Sequence, residues 1–255
     1  MNIRAISKIE VPLTFSEIGK RKNNEDSIYP KGQINSDARL FLVCDGMGGT
    51  EGGEIASNLT CEIISQYFNK YVTPYLSVSI IEQHIYKAVE KVYNRLEKLV
   101  IEKPNLDKMG TTLTLLYIHN DGITIAHIGD SRVYHIQESS CWHTEDHSLV
   151  YELYKIGAIE KSELATHSNK NIITKVISCK YERDKPEIKH IKNISNGDYL
   201  LLMTDGVLEG IDEPTLISIV RDRKQVNEYK INTIKDYCKN NSTDNYSLIF
   251  IKTCN

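Results

Sequence analysis

The stretch LFLVCDGMGGTEGGE, residues 40 to 54, places five apolar residues directly before Asp45 and five glycines within the eight positions after it. A short apolar run that ends at glycine is typical of a buried strand. Beyond the glycines, apolar residues recur every four positions, as on one helix face, at Ile55, Leu59, Ile63, Tyr67 and Tyr71. The stretch therefore predicts a buried strand that ends in a carboxylate and passes through a glycine segment into a helix.

The rest of the chain alternates between helical and strand periodicity. A second helix is predicted from Ile81, Ile85, Val89, Val92, Leu96 and Leu99, and shorter helices near 148–156, 213–222 and 228–239. Strands are predicted from TTLTLLYIH (111–119), ITIAHIGDSRVYHI (123–136), YLLLM (199–203) and NYSLIFIKT (245–253). Strand clusters around helical pairs favour the α+β class, with helices packed on sheet faces.

The composition is that of an ordinary globular chain. The 255 residues are 40% hydrophobic, without an internal repeat or a linker-like segment, so one domain over 1–255 is expected. A net charge of -3 gives no case for nucleic-acid binding, and no apolar run reaches the roughly 20 residues of a membrane helix. The N-terminus lacks the apolar core of a signal peptide and no two cysteines form a Cys-x-x-Cys pair, so a cytoplasmic protein without membrane attachment is expected.

Carboxylates stand at the ends of four separate predicted strands. Asp45, Asp130 and Asp205 each follow an apolar run, and Asp244 comes just before one. A single Asp-Gly after a strand most simply forms a turn. Four carboxylates that met at one end of the fold would repel one another, and aspartates without histidine or cysteine partners suit Mg²⁺ or Mn²⁺. The pattern therefore suggests a site for more than one metal.

Two further segments allow alternative interpretations. The glycine segment lacks the Gly-Lys-Ser/Thr of a nucleotide-binding loop, so it is either a flexible linker or a close approach in which the Gly46 carbonyl could bind metal. In GKRKNNEDS, residues 19–27, an extended chain would put Arg21, Asn23 and Glu25 on one side. Arg21 could then grip a phosphate while Glu25 holds a metal-bound water, and a solvated polar turn is the alternative.

Taken together, these segments resemble the protein phosphatase 2C family of metal-dependent serine/threonine phosphatases, and the compact form resembles its bacterial members. The ordered motifs are GKRKNNED, VCDGMGGTEGGEIAS, MGTTLTLL, HIGDSRVYHI, TEDHSLV, LLMTDGV and STDNYSLIFI. The resemblance implies a central β-sandwich of two antiparallel sheets with antiparallel helices on both outer faces. It also implies a flap beside the active site at about residues 149–173.

The resemblance implies a metal ligand set. Asp45 matches a carboxylate that bridges two metals, and Gly46 matches a ligand that binds through its backbone carbonyl. Asp205 and Asp244 match the remaining carboxylate ligands. Asp130 matches the ligand of a third metal, which it shares with Asp205. Two or three Mg²⁺ or Mn²⁺ ions per chain are therefore expected.

The resemblance also implies roles around the metals. Arg21 matches the phosphate-binding arginine, and Glu25 and Asp26 match residues that hold metal-bound waters. Met47 stands where many eukaryotic members have histidine as the proposed general acid, so the acid of this chain stays open. The catalytic residues expected from the resemblance are Arg21, Asp45 and Asp205.

The implied reaction is hydrolysis of a phosphoserine or phosphothreonine monoester by a metal-bridging hydroxide. A thiolate nucleophile is not indicated, because no cysteine is followed by arginine six positions later. The expected partners are phosphorylated proteins, including a serine/threonine kinase that the enzyme opposes, and the expected state is a monomer. The alternatives are a catalytically silent pseudophosphatase that binds a phosphoprotein, and a hydrolase of small phosphoesters.

Overall fold

The computed structural model describes residues 8–48, 52–164 and 166–254, so Gly49, Thr50 and Glu51 of the glycine segment lie outside the described residues. In the described ranges, the strands are β1 (Lys8–Ile9), β2 (Leu13–Glu17), β3 (Asp26–Tyr29), β4 (Leu40–Met47), β5 (Gly110–Thr111), β6 (Leu113–His119), β7 (Gly122–Ile128), β8 (Arg132–Ile136), β9 (Cys141–His143), β10 (Ile177–Ser178), β11 (Glu187–Ile191), β12 (Tyr199–Met203) and β13 (Tyr246–Cys254). The α-helices are α1 (Gly52–Tyr71), α2 (Val78–Glu102), α3 (Leu149–Lys155), α4 (Asp205–Gly210), α5 (Glu213–Arg221) and α6 (Asn227–Asn241). None of these helices is both long and apolar enough to cross a membrane.

The first antiparallel sheet is organised around β13. β12 pairs with one edge of this strand, with Met203 opposite Leu248, and β2 pairs with the other edge. β1 pairs with the end of β13, while β8 and then β9 extend the sheet beyond β12. The sheet therefore joins the two ends of the described chain.

The second antiparallel sheet is organised around β4. β3 lies along one edge, with Asp26 opposite Asp45, and β5 and β6 lie along the other. β7 and β11 continue the sheet from β6, and β10 pairs with β5. β4, which continues two residues beyond Asp45 to Met47, is therefore flanked on both sides, as its apolar run predicts.

Side chains on the central strands alternate between two buried sides. Phe41 and Val43 of β4 pack between the sheets with Ile249 of β13, whereas Leu42 and Cys44 pack against α1 and α2. The helices α4, α5 and α6 cover the outer face of the first sheet. The predicted α+β architecture, a sandwich of two antiparallel sheets with helices on both faces, is confirmed.

The predicted inner face of α1 is right only in part. Tyr67 is buried as predicted, whereas Ile55, Leu59 and Ile63 are partly buried and Tyr71 is exposed. The buried face also contains Ala56, Thr60, Cys61 and Ile64. Because small and polar residues share this face, the spacing of large apolar residues alone does not locate it. The face predicted for α2 is confirmed, because all six of its residues are buried.

Two local conformations decide between alternatives that the sequence left open. The Asp-Gly after β12 is not a turn, because Asp205 begins the helix α4. Residues 21–23 form a bend, which agrees with the polar-turn alternative, so the alternation that would align Arg21, Asn23 and Glu25 in an extended chain does not apply. In the first case, the same turn-forming residues also suit a helix start, and tertiary packing decides between the two.

Candidate active site

Strand ends from both sheets meet at one end of the sandwich. Asp45 lies near the end of β4, Asp205 lies two residues after β12, and Asp244 lies two residues before β13. Because β12 and β13 are antiparallel neighbours, the end of one lies beside the start of the other. Asp205, Asp130 and Asp244 all act electrostatically on Asp45. The structure therefore brings the four predicted carboxylates to one place.

The carboxyl groups of Asp45 and Asp205 interact electrostatically, because the charge of Asp205 raises the pKa of Asp45. Burial raises the pKa of both groups, and repulsion from neighbouring aspartates adds to the rise, from Asp26 on Asp45 and from Asp244 on Asp205. Oδ1 of Asp205 is buried without a hydrogen-bond partner. Such a pair must share a proton unless a cation takes its place, so the residues present fit a divalent metal site.

Asp26 lies opposite Asp45 and connects the two sheets. Its Oδ2 accepts hydrogen bonds from Thr204 Oγ1 at 3.0 Å and from Ser247 Oγ at 2.7 Å. Its Oδ1 is buried without a partner, and burial raises the pKa of Asp26 to about 7. The protein thus fixes one oxygen and leaves the other for a cation or its water.

Asp130 follows β7 and is linked to Asp45 through two hydroxyl groups. Thr112 Oγ1 accepts the backbone N–H of Asp45 at 2.9 Å and lies 2.7 Å from Ser131 Oγ. The chain reaches this position through Gly129, whose φ of +105° and close contact with Thr112 both disfavour a side chain. Oδ1 of Asp130 is buried without a partner, and burial raises its pKa well above its usual range.

The glycine segment reflects close packing between a strand and a helix. A Cβ on Gly46 would overlap the carbonyl oxygen of Gly53 and would lie 2.6 Å from the carbonyl oxygen of Glu25. A Cβ on Gly53 would lie 2.7 Å from the carbonyl carbon of Gly46. The first turn of α1 therefore lies directly against the end of β4, which disfavours the flexible-linker interpretation.

Arg21 lies at the edge of the carboxylate cluster, with Nη2 2.7 Å from Asp244 Oδ2. Its side chain is 57% exposed, so the guanidinium group is accessible to an anion. The bend that carries Arg21 is held by Asn245, whose Oδ1 accepts the N–H of Glu25 and whose Nδ2 donates to the carbonyl oxygen of Asn23. Burial raises the pKa of Glu25, and the charge of Arg21 opposes that rise.

The residues that fix the carboxylates were missed by sequence analysis. They are short polar side chains within or beside apolar strands: Thr112, Ser131, Thr204, Asn245 and Ser247. The sequence does contain an indication of these residues, because a polar residue within a buried apolar strand must find a hydrogen-bond partner. The identity of that partner depends on which strands are neighbours.

A second group of side chains of the types that commonly bind metals lies near Asp130. Within the described residues, the ligand atoms of His127, His147 and Glu187 lie within 4.8 Å of one another, a distance that no three of the predicted aspartates meet. His147 Nδ1 accepts the N–H of Gly129, so the neutral ring carries its proton on Nε2, the atom that faces Glu187. A protonated Nε2 cannot bind a metal. The contacts of His147 therefore fit a structural role for these three side chains better than a metal site.

The predicted flap leaves the sheets after β9 and returns before β10. Ser148 forms an isolated antiparallel bridge with Ile173 at its base, and the Ser148 hydroxyl caps α3. The segment continues with Ile156, which is 77% exposed, and with a 3-10 turn at Lys161–Glu163. Ala165 lies outside the described residues. A flap function for residues 149–173 stays a prediction.

Comparison with known proteins agrees with this geometry. The protein phosphatase 2C family matches residues 16–235. The protein phosphatase PhpP of Streptococcus pneumoniae is 35% identical over 225 residues, which cover 83% of this chain and 84% of that protein. The chain therefore belongs to the protein phosphatase 2C family.

Solved structures show the same fold. The serine/threonine phosphatase Stp1 from Staphylococcus aureus matches with a TM-score of 0.84 and 27% identity, covering 99% of this chain and 97% of that one. The catalytic domain of the serine/threonine protein phosphatase PstP, solved in complex with 2 manganese ions, matches with a TM-score of 0.80. At 24% identity, over 98% of this chain and 100% of that one, the second likeness shows the fold alone.

Proposed function

We propose that this chain is a metal-dependent serine/threonine protein phosphatase that hydrolyses phosphoserine and phosphothreonine monoesters. The observation that carries the proposal is the group of aspartates around Asp45, on which Asp205, Asp130 and Asp244 all act, within the electrostatic reach of the exposed Arg21. A phosphate monoester is a dianion, and it requires both cations and a hydrogen-bond donor of this kind for stabilisation.

The ligand assignment rests on hard oxygen donors. Asp45, Asp205, Asp244 and the carbonyl of Gly46 would hold two Mg²⁺ or Mn²⁺ ions, and Asp130 with Asp205 would hold a third. The buried, unpartnered Oδ1 atoms of Asp130 and Asp205 support this assignment. When bound, such ions supply the Lewis acidity that activates water and offsets charge on a phosphoryl group.

The chain's own residues bind and orient the reactants. Arg21 donates its guanidinium hydrogens to the phosphoryl oxygens, in exchange for part of its contact with Asp244. Asp26, whose Oδ2 is held by Thr204 and Ser247, keeps its Oδ1 available to accept a hydrogen bond from water. Glu25 presents a second acceptor beside Arg21.

The alternative functions are less well supported. A catalytically silent member would lack a ligand, but every carboxylate predicted for the site is present, and Asp205, Asp130 and Asp244 all act electrostatically on Asp45. A hydrolase of small phosphoesters would use the same chemistry, and the relatives are named as protein phosphatases.

The wider biological assignments extend the same proposal. The substrates are phosphorylated proteins, among them a serine/threonine kinase that the enzyme opposes, and the enzyme acts as a monomeric single domain in the cytoplasm. Relatives that are named serine/threonine phosphatases support the substrate class. The kinase, the monomeric state and the cytoplasmic location rest on the family resemblance and the sequence composition.

A substrate comparison tests the proposed function. The wild-type chain should release phosphate from a phosphothreonine peptide in Mn²⁺ and should lose this activity with excess chelator, while Asp45→Asn serves as the inactive control. Faster hydrolysis of small metabolite phosphoesters than of any phosphopeptide would favour the small-molecule alternative. Tight phosphopeptide binding without phosphate release would favour the silent binding protein.

A further inference from the structure

Glu209, an exposed residue of α4, anchors the segment that contains Asp244 through hydrogen bonds. Its Oε2 accepts hydrogen bonds from Ser242 Oγ at 2.9 Å, from the Thr243 N–H at 2.8 Å and from the Asp244 N–H at 3.2 Å. Its Oε1 accepts a fourth, from Thr243 Oγ1 at 2.8 Å. One carboxylate therefore gathers donors from three consecutive residues, two of them backbone N–H groups.

Glu209 shares a short helix with Asp205. Asp205 is the first residue of α4 and Glu209 is the fifth, so their side chains lie on the same face, one turn apart. The carboxyl group of Asp205 interacts with that of Asp45, and the carboxylate of Glu209 accepts hydrogen bonds from the residues before β13. Through this single helical turn, the position of Asp244 is tied to the position of Asp205.

The other contacts of Asp244 are weaker constraints on its position. The ion pair with Arg21 joins Asp244 to a side chain that is 57% exposed, and exposed ion pairs do little to fix geometry. The hydrogen bond from Asn245 N to Asp244 Oδ1 is local to the segment itself. Among these contacts, the hydrogen bonds of Glu209 fix the segment most directly to the rest of the fold.

We propose that Glu209 is a positioning residue that orients Asp244 for binding divalent cations, by clamping residues 242–244 to the helix that carries Asp205. This inference rests on the proposed metal site. Partners that orient metal ligands typically change metal affinity by about 10–100-fold when they are removed. Glutamine at position 209 can keep one oxygen toward the three donors of Oε2 and can donate to the Thr243 hydroxyl, but it loses the negative charge that strengthens these hydrogen bonds.

Direct titration of the purified chain with Mn²⁺, followed by calorimetry and by the electron paramagnetic resonance signal of free Mn²⁺, tests this proposal without any assay of activity. Glu209→Gln should raise the Kd for Mn²⁺ by about 10–100-fold. Glu228→Gln is the matched control. Glu228 is exposed on α6, and this substitution removes the same charge at a position away from residues 242–244. The control should bind Mn²⁺ as the wild type does.

Thr243→Val provides a second test that a folding defect in Glu209→Gln cannot obscure. Position 243 is exposed, and valine removes only the hydrogen bond to Glu209 Oε1. Its Kd should rise about threefold, which lies within the effect of one hydrogen bond and below the effect of losing a whole orienting partner. Wild-type Mn²⁺ affinity in Glu209→Gln, or in Thr243→Val if the first variant does not fold, overturns the positioning role. Failure of the wild type itself to bind Mn²⁺ overturns the metal site instead.

Discussion

Asp45 lies near the end of β4 and Asp205 follows β12 of the other sheet, yet they lie close enough for the charge of Asp205 to raise the pKa of Asp45. Two carboxylates do not approach one another away from water unless a proton or a cation offsets their repulsion. The metal-free chain therefore favours a protonated carboxyl group at this end of the sandwich, and a bound cation would take the place of that proton.

The first prediction concerns Asp205→Asn. Loss of a carboxylate ligand should lower kcat by more than the about 10–100-fold typical of partners that only orient ligands. The same substitution removes one of the buried repelling charges, so the metal-free variant should be at least as resistant to urea as the metal-free wild type. Activity measured with and without Mn²⁺ checks the expected loss of kcat. Urea unfolding measured with and without Mn²⁺ checks the expected stability of the metal-free variant. An active variant would remove Asp205 from the ligand set.

The second prediction concerns pH and the metal-free protein. Burial raises the pKa of Asp26 to about 7, whereas an unfolded aspartate titrates near about 3.9. The folded state therefore holds this proton more tightly, so its contribution to the free energy of unfolding is largest below about pH 4 and is lost as the pH rises through about 7. Urea unfolding of the chelated protein between about pH 5 and about pH 8 measures the effect.

A matched variant isolates the contribution of Asp26 from other titrating groups. Burial lowers the pKa of His127 and of His147, and such groups make stability rise with pH over part of the same range. Asp26→Asn keeps an acceptor for Thr204 and Ser247 but cannot ionise. The variant should lose less stability than the wild type between about pH 5 and about pH 8. Parallel curves would show that Asp26 does not carry the shift.

The third prediction concerns the phosphate contact of Arg21. Arg21→Ala should raise KM for a phosphopeptide by about 10-fold, at the low end for hydrogen bonds to charged groups because the side chain is exposed. Arg21→Lys should restore only part of the loss, since lysine lacks the bidentate geometry. Lys22→Ala removes a neighbouring exposed cation and serves as the control. Equal effects at both positions would indicate a general charge effect instead of a phosphate contact.

The fourth prediction concerns the flap. Ile156 is 77% exposed at the end of α3, and Ile101 is 80% exposed at the end of α2. If residues 149–173 contact protein substrates, Ile156→Ser should lower kcat/KM for phosphopeptides while leaving hydrolysis of a small aryl phosphate unchanged. Ile101→Ser should change neither rate. A uniform loss on both substrates with Ile156→Ser would indicate a structural role for the segment.

The fifth prediction concerns the missing general acid. Met47 is the last residue of β4, partly buried, and on the same side of the strand as Asp45. Methionine cannot donate a proton, whereas a histidine could protonate a serine leaving group, an effect worth about 10²–10⁴-fold where it operates. Met47→His should therefore increase the rate on phosphoserine peptide relative to aryl phosphate, with a new pH limb near about 6.5. Equal changes on both substrates would mark position 47 as a packing site.

Much of the site was predictable from sequence because its residues stand at visible boundaries. Each predicted aspartate marks the end or the start of an apolar strand, and such positions are legible from periodicity alone. The family motifs then supplied a role for Asp26 and favoured phosphate binding by Arg21 over the polar turn that its spacing left open. Part of the predicted face of α1 and the simple turn at Asp205 differ from the structure, since small residues and turn-forming residues are compatible with more than one local structure.

By itself, the sequence determined the buried strands, the helices and the presence of four carboxylates at strand ends, because these follow from the period of side chains along the chain. Only the tertiary structure decided that Asp26 would bond to Thr204 and Ser247, that Gly46 would press against Gly53, and that Glu209 would hold the segment of Asp244. These contacts join residues from distant parts of the chain. Local periodicity carries no information about which strands and helices become neighbours, and that pairing is set by the closure of the two sheets into one sandwich.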